Sequence, residues 1–249
     1  MTFEQFSRGA SLLHRADPRG KLISAGLLSL IIALCRNLST ALIGLLLALV
    51  LVAAARLPWK IVLRRILVVN TFNLLLLLVL PLTYGGLVLE IAGIDLSRAG
   101  LSMAILITIK SNAVLLVFIS LLATSSAAQL GHALQTLRVS PKICLLLLFS
   151  YRYIALIYEE LQRLQRAAEL RCFRPQTNLH TYRSYSSMLG MLLVRSWNRA
   201  ERVQQAMELR GFSGQFHSLY TTGKMQQRDV LLLVGLLVAG AGLMVIEVV

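Results

Sequence analysis

The sequence predicts an all-α integral membrane protein with about five transmembrane helices and a cytoplasmic region of long amphipathic helices. Three observations predict it. The 249 residues are 57% hydrophobic and only 14% charged, with a mean hydropathy of +0.72, and the apolar residues arrive in long blocks. Lys and Arg gather in alternate connections between those blocks. Finally, two long runs after the fourth block have helical two-facedness and no interior breaker.

The first block, Leu22 to Leu34, follows a basic flank with Arg8, Arg15, Arg19 and Lys21. Its sequel "LCRN" lacks a small-residue cleavage site and four more blocks come after it, so it reads as a retained span and not a signal peptide. The next spans are Ala41 to Ala55, Ile66 to Leu80, Leu101 to Ala123 and Val230 to Val249. The first three of the five, ending with Ile66 to Leu80, fall short of the roughly 20 residues that cross a bilayer, so they must borrow polar flanks, run thin or pack partly against other helices. "WKIVLRR", after Pro58, reads as a short amphipathic piece along the interface. Asp95-Leu96-Ser97 reads as a helix start with an acidic cap. All five prolines, at 18, 58, 81, 141 and 175, punctuate the edges of blocks or helices.

With a cytoplasmic N-terminus, the inner pieces carry Arg8, Arg15, Arg19 and Lys21, then Arg56, Lys60, Arg64 and Arg65, then fourteen basic residues from Arg138 to Arg228. The outer pieces hold Arg36 and Arg98, beside Glu90, Asp95 and Glu247. This asymmetry follows the positive-inside rule and predicts a multi-pass membrane protein with its N-terminus in the cytoplasm. The net charge of +14 is then chiefly an orientation signal facing the lipid bilayer, and nucleic acid is not the expected partner. The organisation is 1–124 (four spans and the N-terminal segment), 125–228 (cytoplasmic or interfacial helices) and 229–249 (last span).

Cys35, Cys144 and Cys172 lie far apart, without the spacing of a disulfide framework or a zinc site. His14, His132, His180 and His217 are isolated, so no metal ligand set is assigned. Neither a Walker lysine loop nor a hydrolase or metalloprotease motif occurs, and no catalytic residue is assigned.

From Pro141 an unbroken run reaches Arg171, about 45 Å as a helix, and a second goes from about Tyr185 to Arg210, about 37 Å. The apolar start "KICLLLLFSY" is about half a span and is placed at the interface or against the bundle. On the second run Leu189, Leu193, Trp197, Ala200, Val203 and Met207 share one arc, while Arg195, Arg199, Arg202 and Arg210 share another. On the first, Ile154, Ile157, Tyr158, Leu161, Leu164 and Ala168 oppose Arg152, Glu159, Arg163 and Arg166. The expectation is that these helices pack against something apolar and present charge to something else.

Both runs end alike. "RLQRAAELRCF" (163–173) and "RVQQAMELRGF" (202–212) share seven of eleven positions. A basic residue in the last turn complements the helix dipole, and glycine after it suits a left-handed cap. Capping does not require the upstream residues too, and a pair of like tips suggests a pair of like sockets on a dimeric partner.

These ends resemble the coupling-helix motifs of the transmembrane T component of energy-coupling factor (ECF) transporters, where an Ala-Arg-Gly-like motif closes each of two cytoplasmic helices. Glu169, Leu170, Arg171 and Cys172 look like the first motif, and Glu208, Leu209, Arg210 and Gly211 like the second. Leu170 and Leu209 stand in place of Ala, and Cys172 in place of Gly, so the two tips are expected to end differently. "HRADPRGKL", "YRYIALIYEEL" and "GMLLVRSWNRAERVQQAMELRGF" resemble the cobalt or nickel branch of that family, the CbiQ-like proteins. The resemblance implies a non-catalytic subunit linking two ATP-binding cassette ATPases to a small substrate-binding membrane subunit. It implies no cofactor of its own: ATP and Mg would sit on the ATPases, and cobalt on the substrate-binding subunit. The alternatives are a T component for a vitamin such as biotin, and a membrane anchor for a cytosolic dimer.

Lys110 falls near the middle of the fourth span, where a charge is costly and marks a functional or interior-facing group. With Asn112 beside it and Asn70 and Asn73 on the third span, it also fits a polar contact between helices. Gly235 and Ala239 form a small-xxx-small pair that suggests close packing of the last span.

Overall fold

The structure is a computed structural model and describes residues 11–83, 88–91, 94–137, 139–212 and 227–248. Arg8, Arg138, His217 and Val249, named above, lie outside them. Two compact units are present: Met1–Ala133 with Gly223–Val249, and Leu134–Thr222. Helices dominate both, as the composition requires.

The first unit contains α1 (Leu12–Arg15), α2 (Pro18–Leu34), α3 (Leu38–Ala55), α4 (Trp59–Thr83), the strands β1 (Val88–Ile91) and β2 (Ile94–Ser97), α5 (Arg98–Leu121), most of α6 (Ala127–Thr136), and α9 (Gln227–Val248). Pro18 opens α2 with Asp17 as its N-cap, the carboxylate accepting from the Arg19 N–H at 2.9 Å. Asp95 does not cap α5. It lies in β2, and the Ser97 hydroxyl accepts from the Gly100 N–H at 3.3 Å. The serine sits at the cap position, where a short oxygen reaches back to the third amide. The antiparallel hairpin, with Val88 opposite Ser97 and Ile91 opposite Ile94, was not legible in so short an alternation.

"WKIVLRR" is not a separate interfacial piece: it is the first two turns of α4, a single 25-residue helix. Pro81 lies inside that helix, in its last turn, and so is not a boundary mark. Among the described residues, five helices are long and apolar enough to cross a membrane: α3, α4, α5, α7 (Pro141–Glu169) and α9. The set differs from the sequence reading at two places. α2 has only 17 residues, and α7, whose apolar start looked like half a span, continues unbroken for 29. Polar residues downstream extend the rod without interrupting it.

The core of the first unit lies where α5 meets α2, α3 and α4, around Ala25, Leu28, Ile32, Ala48, Val52 and Val117. Small residues let the backbones approach, which is how helices associate where no water drives them together. Lys21 on α2 is buried and donates to the Ser125 hydroxyl at 2.9 Å, fixing the start of α2 beside the end of α5. At the other end Glu247 of α9 accepts from the backbone N–H groups of Arg36 (2.6 Å) and Asn37 (3.1 Å). These are amides at the open start of α3, and Asn37 makes no side-chain cap bond there. A carboxylate from a distant helix therefore supplies that cap, favoured by the positive end of the dipole.

Gly235 is not the close-packing residue: a side chain there would meet nothing within 4 Å. Gly240 is, since a Cβ would come 2.9 Å from Ile31 Cδ1 and 3.3 Å from Leu28 Cδ2. Gly240→Leu is expected to force α9 off α2 and destabilise the protein by about 1–3 kcal/mol, as overpacked sites do. Gly235→Leu should stay within about 0.5 kcal/mol. Thermal unfolding of the two variants in one detergent checks this; equal losses would contradict the packing described.

Candidate functional site

The second unit is built on α7 and α8 (Leu179–Leu209), which run to the two repeated ends. α8 starts six residues before the expected Tyr185. Its N-cap is Asn178, whose Oδ1 accepts from the Thr181 N–H at 2.9 Å and from the Thr181 hydroxyl at 2.8 Å. Thr181 is itself buried and accepts from the Gln176 N–H. Phe173, just past the first tip, stands edge-on to Tyr185 with ring centroids 5.7 Å apart.

The two helices meet through charge. Glu160 of α7 is 8% exposed. Its carboxylate accepts from Arg195 of α8 and lies 3.7 Å from Arg199 of α8 and 3.6 Å from Arg163 of its own helix. Three guanidiniums thus converge on one carboxylate across the helix pair. Arg presents a fixed fork of donors, so such a node sets orientation as well as contact. Glu159, next in sequence, makes only the exposed pair with Arg163 at 3.7 Å.

The charge that these helices were expected to present to something else is in part presented by each to the other. Arg195 and Arg199 face α7, while the apolar arc of α8 is open, with Leu193 71% and Trp197 68% exposed. Glu160 was missed because at helical spacing it is one residue from Glu159, and periodicity says which residues share a face, not which face is covered. Its i,i+3 spacing to Arg163 was the available signal.

The tips are alike in backbone detail. At the first, the Cys172 N–H donates to the Glu169 carbonyl at 3.0 Å and the Phe173 N–H to the Ala168 carbonyl at 3.1 Å. At the second, Gly211 donates to Glu208 at 2.9 Å and Phe212 to Met207 at 3.0 Å. Each is a Schellman closure with one left-handed residue, Cys172 at φ 61° and Gly211 at φ 78°. The expectation that Cys172 and Gly211 end their helices differently is therefore wrong: cysteine adopts the glycine conformation. A side chain makes that conformation costly by about 1–2 kcal/mol.

What each closure displays is also alike. Leu170 is 86% exposed and Leu209 is 89% exposed, and Arg171 and Arg210 beside them are exposed too. Glu169 and Glu208 complete the matching ends. Each tip thus offers an uncovered leucine and a permanently charged fork, a combination suited to a groove that is apolar within and polar at its rim.

The other sequence-predicted residues lie in the first unit. Asn73 is buried and donates to the Ser111 hydroxyl at 2.7 Å and to Asn70 Oδ1 at 3.3 Å, while Asn112 donates to the same Asn70 oxygen at 2.8 Å. These residues join α4 to α5. Lys110 is not brought to them: its ammonium donates to the Ala33 carbonyl near the end of α2, at 3.0 Å. A long stem on the opposite side of α5 from Asn112 carries it there. Among the described residues no three His, Cys, Asp or Glu side chains are grouped to hold a metal ion.

Apolar helices of spanning length and a separate helix pair with twin arginine-bearing tips define a multi-pass membrane protein. A family model described as "CbiQ: Cobalt transport protein" matches residues 9–220, so the chain belongs to that family, which comprises transmembrane T components of ECF transporters. Among similar proteins is the "Energy-coupling factor transporter transmembrane protein EcfT" of Bacillus subtilis (strain 168), 27% identical over 97% of this chain and 96% of its own. Proteins of the same name from Streptococcus equi subsp. equi (strain 4047) and Macrococcus caseolyticus (strain JCSC5402) are 27% and 26% identical, over 93% and 82% of this chain and 91% and 82% of theirs.

Two outcomes are expected of the site. Cys172→Gly should slow amide exchange at the first tip about fivefold, the equivalent of relieving about 1 kcal/mol of left-handed strain. Cys172→Val should speed it, and no difference between the two would contradict the closure described. Glu160→Gln should loosen α7 against α8, seen as faster amide exchange in the middle of both helices. Glu159→Gln should leave that exchange unchanged.

Proposed function

We propose that this chain is the energy-coupling scaffold of an ATP-driven importer of cobalt or nickel, seated in the bacterial inner membrane with its N-terminus in the cytoplasm. The tips at Arg171 and Arg210 dock into equivalent grooves on two ATP-binding cassette subunits. A small substrate-binding membrane subunit carries the cargo, and the open apolar arc of α8 with the exposed apolar start of α7 offers it a surface. The chain does no chemistry of its own, and ATP and Mg belong to the ATPases.

The observation that carries this reading is the equivalence of the two tips. Two ends with the same closure, the same exposed leucine and the same arginine suit a partner that presents one socket twice. A rigid helix pair held by the Glu160 node is a lever: displacement of one tip turns the rod it ends. The family description supports cobalt as cargo. The similar proteins carry the transporter name alone, and a vitamin importer is the second reading. The basic ends of α2 and α4 support the orientation through the positive-inside rule.

Arg171→Glu combined with Arg210→Glu is expected to leave membrane insertion intact while abolishing co-purification of the ATPases and ATP-dependent uptake. Each single variant should lose at least tenfold. Full uptake by the double variant would contradict the docking role. Uptake of radiolabelled cobalt, nickel and biotin by the same cells distinguishes the cargo.

A further inference from the structure

We propose that the start of α4 holds the headgroup of an anionic phospholipid. A groove of about 710 Å³ opens there, lined by Lys60, Arg64 and Arg65 at one end and by Val68, Val69 and Leu115 at the other. Lys60 and Arg64 are four residues apart and share a face of the helix, with Arg65 beside them. Val68 follows Arg64 by one turn, about 6 Å along the axis. Cations and apolar wall are therefore stacked along the direction in which a phospholipid changes from phosphate to acyl chain.

The surroundings continue that order. Trp59, more than half exposed, stands at the head of the helix, the level where aromatic rings favour the boundary between headgroups and hydrocarbon. Beyond the groove the surface of α4 stays apolar and open through Leu67, Leu74 and Leu78. Among the described residues no acidic side chain lines the groove. A free phosphate would use the cations but leave the wall uncovered, and a neutral lipid would use the wall but bring no counter-charge to Lys60 and Arg64. An anionic phospholipid uses both, and basic pockets at the ends of membrane helices are suited to such headgroups.

Trp59 and Trp197 are the two tryptophans, so the full chain carrying Trp197→Phe reports on the groove alone. Purified in neutral detergent, it is titrated with phosphatidylglycerol or phosphatidylcholine bearing brominated acyl chains, and quenching of Trp59 is read. Each basic residue near an anionic surface is worth about a fivefold change in affinity. Phosphatidylglycerol should therefore quench at a concentration about a hundredfold lower than phosphatidylcholine. Arg64→Gln should reduce that preference about fivefold, and Lys60→Gln with Arg64→Gln and Arg65→Gln should remove it. Equal quenching by the two lipids overturns the proposal, as does a preference that survives the triple substitution. Release of the lipid by inorganic phosphate or a soluble acidic peptide at matched charge would assign the groove to a soluble anion and overturn it as well. The comparison of lipids on the unsubstituted basic groove and the single Arg64→Gln variant keep the test decisive if the triple variant does not fold.

Discussion

The second unit depends on one carboxylate. Glu160 is the meeting point of Arg195 and Arg199 from α8 and Arg163 from α7, and it fixes which faces of two long helices look at each other. Had the apolar arcs met instead, the arginines would be solvated and the pair would be a small hydrophobic core. With the charges inside, the apolar surface is left outside, available to lipid or to another membrane protein. An arrangement of this kind is specific in direction, because fork-like donors accept few geometries. It trades hydrophobic cohesion within the pair for an open apolar flank.

The first unit follows a different rule. Its helices are joined by small residues at contacts such as Ala48 and Gly240, and by a few polar bonds that hydrocarbon leaves no alternative for. Asn70, Asn73, Ser111 and Asn112 tie α4 to α5, Lys21 ties α2 to the end of α5, and Glu247 ties α9 to the start of α3. Each bond satisfies a group whose isolation in an apolar medium would cost several kcal/mol. Lys21 and Glu247 make their contacts at opposite ends of α2.

Much of this was legible because it rests on composition and period. Helix existence, the two long rods, the twin ends and the asparagine contact follow from hydropathy, breakers and spacing. What was not legible depends on tertiary choices. Glu159 and Glu160 are indistinguishable in sequence until the crossing of α7 and α8 selects one. Lys110 and Asn112 are neighbours in sequence but point around opposite sides of α5. Cys172 looks unlike Gly211 by conformational preference, yet the surrounding closure holds it left-handed at φ 61°. That strained conformation persists because two backbone hydrogen bonds and a helix end over-determine it. A closure kept at such a cost is consistent with a tip whose shape matters to something outside the chain.

The central claim is that the two tips move as a pair, joined through Glu160. Its most direct test is the distance between spin labels at Leu170 and Leu209, both fully displayed, in the complex with its ATPases with and without bound ATP. The account predicts the same distance in both nucleotide states, and a distance that differs between them when Glu160 is replaced by Gln. A distance that changes with nucleotide in the unsubstituted protein would contradict it.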